Sequence, residues 1–182
     1  MGKVVILGGN ARSGKSTLAY KLAKKGFSRL SFDNLYSAIE ESLKIHMDDL
    51  PKDQTFAFFE HIINQSLEEA EIENLNTVID MYDFLPSDIA KLKNKDKIQV
   101  YFLAYPHCSL EEIKYNVIHY AKPTDWIAQV DEDYLDSCVK RLAERNEILL
   151  EECQKYHMPL IDTSSGKARA DVLNKLYNEI IN

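Results

Sequence analysis

Three of the six glycines in this 182-residue chain, Gly8, Gly9 and Gly14, fall within seven consecutive positions. They follow Lys3–Leu7, a short β-branched run that is apolar on both faces, as expected of a strand buried inside a parallel sheet. They precede Ser16–Lys25, where Leu18, Leu22 and Ala23 fall near one helical face and Gly26 supplies a left-handed stop. A strand that ends in paired glycines and turns directly into a helix implies an α/β crossover, because the helix must lie back across the strand it has left.

Residues 9–16 read Gly-Asn-Ala-Arg-Ser-Gly-Lys-Ser and satisfy GxxxxGK[ST] in full. Backbone N–H groups of such a loop, backed by the positive end of the following helix, can surround a polyphosphate. Lys15 can reach the β and γ phosphates, the Ser16 hydroxyl can ligate Mg²⁺, and Thr17 can bond the α-phosphate. The expected nucleotide contacts are therefore Gly9, Asn10, Ala11, Arg12, Ser13, Gly14, Lys15, Ser16 and Thr17.

Beyond the loop, strands and helices alternate. Phe27–Phe32 suits a second strand, and Asp33 can cap a helix from Asn34 to Ile45 before Pro51 breaks the chain. A long amphipathic helix follows from Gln54 to Leu75, then a strand at Thr77–Asp80, a short helix at Pro86–Lys93 and a strand at Lys97–Leu103. Ser109 and Glu112 form a capping box for a helix towards His119. Asp131–Tyr156 is helical, Met158–Asp162 is a fifth strand, and Ala168–Ile181 closes the chain as a helix. The expectation is a single α/β domain over 1–182, with five parallel strands covered on both faces.

Composition removes other classes. A net charge of −7, from 22 basic and 29 acidic residues, disfavours nucleic-acid partners. No run approaches a membrane span and no signal peptide opens the sequence, so a cytoplasmic protein is expected. Cys108, Cys138 and Cys153 are widely spaced, favouring reduced structural thiols over a disulfide framework or zinc site.

In the phosphate loop the chain resembles the P-loop NTPases. Asn94-Lys95-Asp96-Lys97 lacks the final acid of the GTPase NKxD, and no glycine follows Asp80 or Asp83 at DxxG spacing. In size, element order and late arginine-bearing helix, the whole chain looks like the nucleoside-monophosphate kinase and shikimate/gluconate kinase group. That resemblance implies a three-layer α/β sandwich of the P-loop NTPase fold, with strand order 2-3-1-4-5. Val139-Lys140-Arg141-Leu142 and Pro159-Leu160-Ile161-Asp162 are similar to the post-lid helix and last strand of adenylate kinases, and Arg141 matches the family arginine that contacts phosphates. Arg145 lies one turn further on the same helical face, where both guanidinium groups could meet one anion, the alternative being pairing with Glu144, Glu147 or Asp136. The resemblance also implies a lid near 122–130 and an adenine-side loop at Ser164–Lys167.

Asp33 and Asp80 stand at strand ends, where open parallel sheets bind ligands. Asp80 ends an apolar strand in a Walker-B-like arrangement and could hold Mg²⁺, the alternative being a cap or turn. Shikimate and gluconate kinases place an aspartate where Asp33 stands, to orient the acceptor hydroxyl; its alternative is the helix cap. Monophosphate kinases carry acceptor-phosphate arginines after strands two and three, whereas this chain has Leu35 and Tyr36, then Met81-Tyr82-Asp83-Phe84-Leu85-Pro86. The leading expectation is an ATP- and Mg²⁺-dependent kinase, monomeric or homodimeric, with Lys15, Asp33, Arg141 and Arg145 catalytic and an unidentified small hydroxyl compound as acceptor. A nucleoside-monophosphate kinase and a slow nucleotide-binding switch are the alternatives.

Overall fold

The computed structural model describes residues 2–121, 127 and 130–182. Its centre is β1, Val4–Gly9, buried at every position. Parallel strands β3 (Asn76–Asp80) and β4 (Gln99–Ala104) flank it, with β2 (Phe27–Ser31) and β5 (Leu160–Asp162) outside them. The order is β2-β3-β1-β4-β5, as the resemblance implied. The two-sided apolar pattern of β1 has a direct cause. Val4 and Ile6 enter a core with Phe59, Ile63 and Leu67 of helix α3 (Lys52–Ile72), whereas Val5 and Leu7 face Leu18 and Leu22 of α1 (Lys15–Ala23) and Leu173 and Leu176 of α7 (Arg169–Ile181).

The remaining helices are α2 (Phe32–Leu43), α4 (Pro86–Ile89), α5 (Leu110–His119) and α6 (Glu132–Lys155). Helix α5 opens on the expected box, with Glu112 N donating to Ser109 Oγ and Ser109 N to the Glu112 carboxylate. Several boundaries differ from the sequence expectation: β4 and β5 each begin two residues later, α3 runs from Lys52 to Ile72, and three further differences have a local cause. Helix α4 is one turn, because the chain after Ile89 breaks into turns before the short 3₁₀ segment at Lys95–Lys97. Helix α1 ends at Lys24 in right-handed geometry, and Gly26 takes its left-handed φ of 96° two residues later. Ser31 occupies the N-cap position of α2, which moves Asp33 into the first turn and removes its assignment as the cap. All three cysteines are free, and among the described residues no helix is long and apolar enough to cross a membrane.

Candidate active site

Strand β1 feeds Gly9 into the loop, and packing dictates its glycines as strictly as phosphate approach does. At Gly9, with φ 120°, a Cβ would lie 2.1 Å from the Leu103 carbonyl oxygen of β4. At Gly14, with φ 102°, it would lie 2.8 Å from Leu173 Cδ1 of α7. The loop is closed by its own polar groups. The Asn10 carbonyl accepts from Ser13 Oγ at 2.7 Å and Lys15 Nζ at 2.7 Å, and the Gly9 carbonyl accepts from Lys15 Nζ at 3.0 Å. Helix α1 begins at Gly14 without a side-chain cap or an acidic residue in its first turn, so its N–H groups and positive dipole end stay available to an anion. Ser16 and Thr17 are exposed on that turn, as a metal ligand and a phosphate donor require.

Lys15 is the electrostatic centre. Burial lowers its pKa to about 8; Asp33 and Asp80 hold it up, Arg145 pushes it further down and Asp83 opposes that. The Tyr82 ring centroid lies 6.0 Å from its Nζ. Asp33 is open to water on one side and crowded by protein on the other. The crowding raises its carboxyl pKa, Lys15 draws it back, Asp80 raises it further and Arg29 lowers it. These charge interactions and the ring contact gather Lys15, Asp33, Asp80 and Arg145 into one neighbourhood, together with Asp83 and Tyr82.

Asp80 brings a partner that the sequence reading did not include. Its Oδ2 accepts from Arg29 of β2 at 2.7 Å, and the guanidinium lies over the Tyr20 ring at 4.3 Å. Asp80 Oδ1 is buried with no hydrogen-bond partner. Mg²⁺ takes oxygen ligands, keeps several waters and needs few protein groups. The exposed Ser16 hydroxyl and the unpartnered Asp80 oxygen meet that requirement. The one sequence clue to Arg29 was a lone basic residue in an otherwise uncharged strand.

The arginines of α6 diverge. Arg145 turns inward, donating to the Tyr82 carbonyl with its Cζ 4.1 Å from the Tyr82 ring centroid. Arg141 is exposed, donating to Cys138 Sγ at 3.0 Å and lying 5.8 Å from the Tyr134 ring centroid. The two guanidinium groups, expected to meet one anion, therefore have different partners, and Arg145 rather than Arg141 acts on Lys15. Neither arginine pairs with Glu144, Glu147 or Asp136 among the described residues.

Asn146 was also absent from the sequence reading. Fully buried Asn10 donates through Nδ2 to the Leu142 carbonyl at 2.7 Å and to Asn146 Oδ1 at 2.9 Å, and the Tyr105 N–H donates to the same Asn146 oxygen at 3.1 Å. Tyr105 Oη donates to the Ala11 carbonyl at 2.8 Å. Leu142 and Asn146 each follow one of the two arginines, so the Asn10 amide grips both arginine-bearing turns. In sequence, an asparagine inside a helix carries no such signal. Of the expected lid, residues 122–126, 128 and 129 lie outside the described residues; Ile127 and Val130 pack, half-buried, against the α5–α6 core.

No family model matches the sequence, and no curated protein does. Solved structures share its fold over nearly the whole chain. A shikimate kinase from Bacteroides thetaiotaomicron is 18% identical, with 99% of each chain covered and a TM-score of 0.57. A shikimate kinase from Acinetobacter baumannii, in complex with shikimate, is 16% identical over 100% of this chain and 94% of that one, with a TM-score of 0.58. A gluconokinase from Sinorhizobium meliloti 1021 is 16% identical over 99% and 95%, with a TM-score of 0.53. The likeness is one of fold: this chain has the P-loop architecture found in those small-molecule kinases.

Proposed function

We propose that the protein is an ATP- and Mg²⁺-dependent kinase that transfers the γ-phosphoryl group to a hydroxyl of a small metabolite. The observation that carries this reading is the setting of Lys15: a buried ammonium in a complete phosphate loop, facing Asp33, Asp80 and Arg145. The loop N–H groups and the start of α1 bind the phosphate chain, and Thr17 contacts the α-phosphate. Lys15 exchanges its bonds to the Gly9 and Asn10 carbonyls for phosphate oxygens. Ser16 and Asp80 would hold Mg²⁺, which would supply neutralisation of phosphate charge.

Asp33 accepts the hydroxyl proton as the acceptor oxygen forms its bond to γ-phosphorus. The bond from that phosphorus to the β–γ bridging oxygen breaks, and ADP leaves with the electron pair. Lys15 and Arg145 meet the charge on the transferring group, with Arg141 reaching it from the outer face of α6. ADP release by the full chain, with Lys15→Met beside the wild type, tests the assignment. The expected result is a loss of turnover of about a hundredfold or more with an unchanged or raised melting temperature. Undiminished turnover in the variant overturns the site.

A further inference from the structure

The acceptor side of the site is organised by one phenylalanine. Phe32 precedes Asp33 and Phe84 follows Asp83, and both rings meet fully buried Phe59 of α3, edge-on at 5.1 Å and stacked at 4.1 Å. Phe59 thereby draws the exit of β2 and the exit of β3 to one rim and leaves the neighbouring aspartates exposed there. Both carboxylates act on Lys15 across the mouth. Half-buried Tyr36, edge-on to Phe32 at 5.8 Å, and half-buried Tyr82 add aromatic surface beside them.

The cations that act on this rim are already engaged, Arg141 with Cys138 Sγ and the Tyr134 ring on the outer face of α6. Arg29 is held by Asp80 and Tyr20, Arg145 by the carbonyl and ring of Tyr82, and Lys15 by the phosphate loop. Residues 30–43 and 53–90, which build the wall, contain no lysine or arginine. Between those stretches, Lys44 ends α2 and Lys52 begins α3, both exposed. A carboxylate or phosphate on the acceptor would meet like charge at this rim. Carboxylates accept hydrogen bonds from hydroxyl and ammonium groups, and aromatic faces suit the apolar face of a sugar ring or a cation.

Resting on the kinase reading above, we propose that the acceptor carries hydroxyls and no negative group: a neutral or amine-bearing sugar or nucleoside held through Asp33 and Asp83 beside Tyr36 and Tyr82. That would set this chain apart from a kinase of the same fold that holds shikimate, an acid. ADP release at saturating Mg-ATP is measured with matched compounds: glucose and glucosamine against gluconate, uridine and adenosine against their monophosphates, and methyl shikimate against shikimate. The expected result is stimulation of about tenfold or more by an uncharged or amine-bearing member, with its anionic counterpart near the basal rate. Stronger stimulation by an anionic member overturns the inference and leaves the kinase reading standing. Silence from every compound, with ATP binding intact, overturns both. With the stimulating compound in hand, Asp83→Asn is expected to raise its KM about tenfold while the KM for ATP holds. Equal movement of the two constants removes Asp83 from recognition.

Discussion

On the kinase reading proposed above, the phosphate-donor side and the acceptor side of this site are made in different ways. The donor side is one continuous stretch, residues 9–17, whose shape is closed by its own carbonyls and by glycines fitted against β4 and α7. The acceptor side has no such stretch. It is assembled from the exits of β2 and β3 and from α6, and its geometry depends on side chains that meet only after folding: Phe59 between Phe32 and Phe84, Arg29 against Asp80, Asn146 against Asn10. A contiguous loop can bind the same polyphosphate on many scaffolds, whereas an assembled rim can change its ligand through a few substitutions. The difference also sets where the molecule is fragile.

Arg29→Met gives the largest expected effect on that comparison. It removes the guanidinium that bonds Oδ2 of a carboxylate only 4% exposed, whose Oδ1 already has no hydrogen-bond partner. Breaking such a pair costs about 3–5 kcal/mol, which for a chain of this size lowers the melting temperature by roughly 6–20 °C. Asp80→Asn in the same background is expected to recover part of the loss, since the amide needs no counter-charge. A melting curve for Arg29→Met that matches the wild type would show Asp80 to be solvated and the acceptor side to be less dependent on tertiary pairing than the donor side.

Asn146→Leu addresses the joint between the two sides. The variant keeps the branched side-chain shape but removes the acceptor for both the Asn10 amide and the Tyr105 N–H, leaving two buried donors without it. Each unsatisfied buried donor costs about 1–3 kcal/mol, so some stability is lost. The informative readout is kinetic. If the Asn10–Asn146 bond sets the height of α6 against the phosphate loop, turnover falls about tenfold to a hundredfold while the KM for ATP moves little, and adding Arg145→Ala costs less than it does in the wild type. Full additivity of the two substitutions would make Asn146 a packing residue alone.

What could be read from the sequence follows the same division. The five strands and the phosphate loop were legible because each rests on local pattern: an apolar run, a glycine turn, a 3.6-residue period; the sheet order came only from the family resemblance, since no local pattern says which strands lie side by side. Asp33 and Asp80 could be singled out because strand ends in parallel sheets are where ligands bind. Arg29 and Asn146 were not, because their meaning lies in partners far along the chain. The N-cap of α2 was misplaced for a related reason. Both Ser31 and Asp33 suit a cap by residue type, and burial of Phe32 in the α3 core draws the helix start two residues earlier. Phe59 lies in the amphipathic helix expected from Gln54 to Leu75 and is core, but its pairing of the two acceptor-side rims required the fold.

The smallest expected effect is a pH dependence confined to the donor side. Lys15 has a pKa lowered by burial to about 8 from an ordinary 10.5, so its charged form is less favoured in the folded chain than in the unfolded one. Below about pH 8 both states hold the proton and the full cost is present; between about 8 and 10.5 the folded state releases it first, and this group's contribution to stability rises with pH, by at most about 1.4 kcal/mol per pH unit. Function runs in the opposite direction, because phosphate capture needs the ammonium. The expected kcat/KM for ATP is about twofold lower at pH 8 than at pH 7, falling more steeply above, while kcat holds to higher pH because bound phosphates restore the proton. Lys15→Arg, whose charge does not titrate in this range, is expected to flatten that limb even if its overall rate is poor. An alkaline limb that persists unchanged in Lys15→Arg would assign the titration to another group and take the pH dependence away from the donor side.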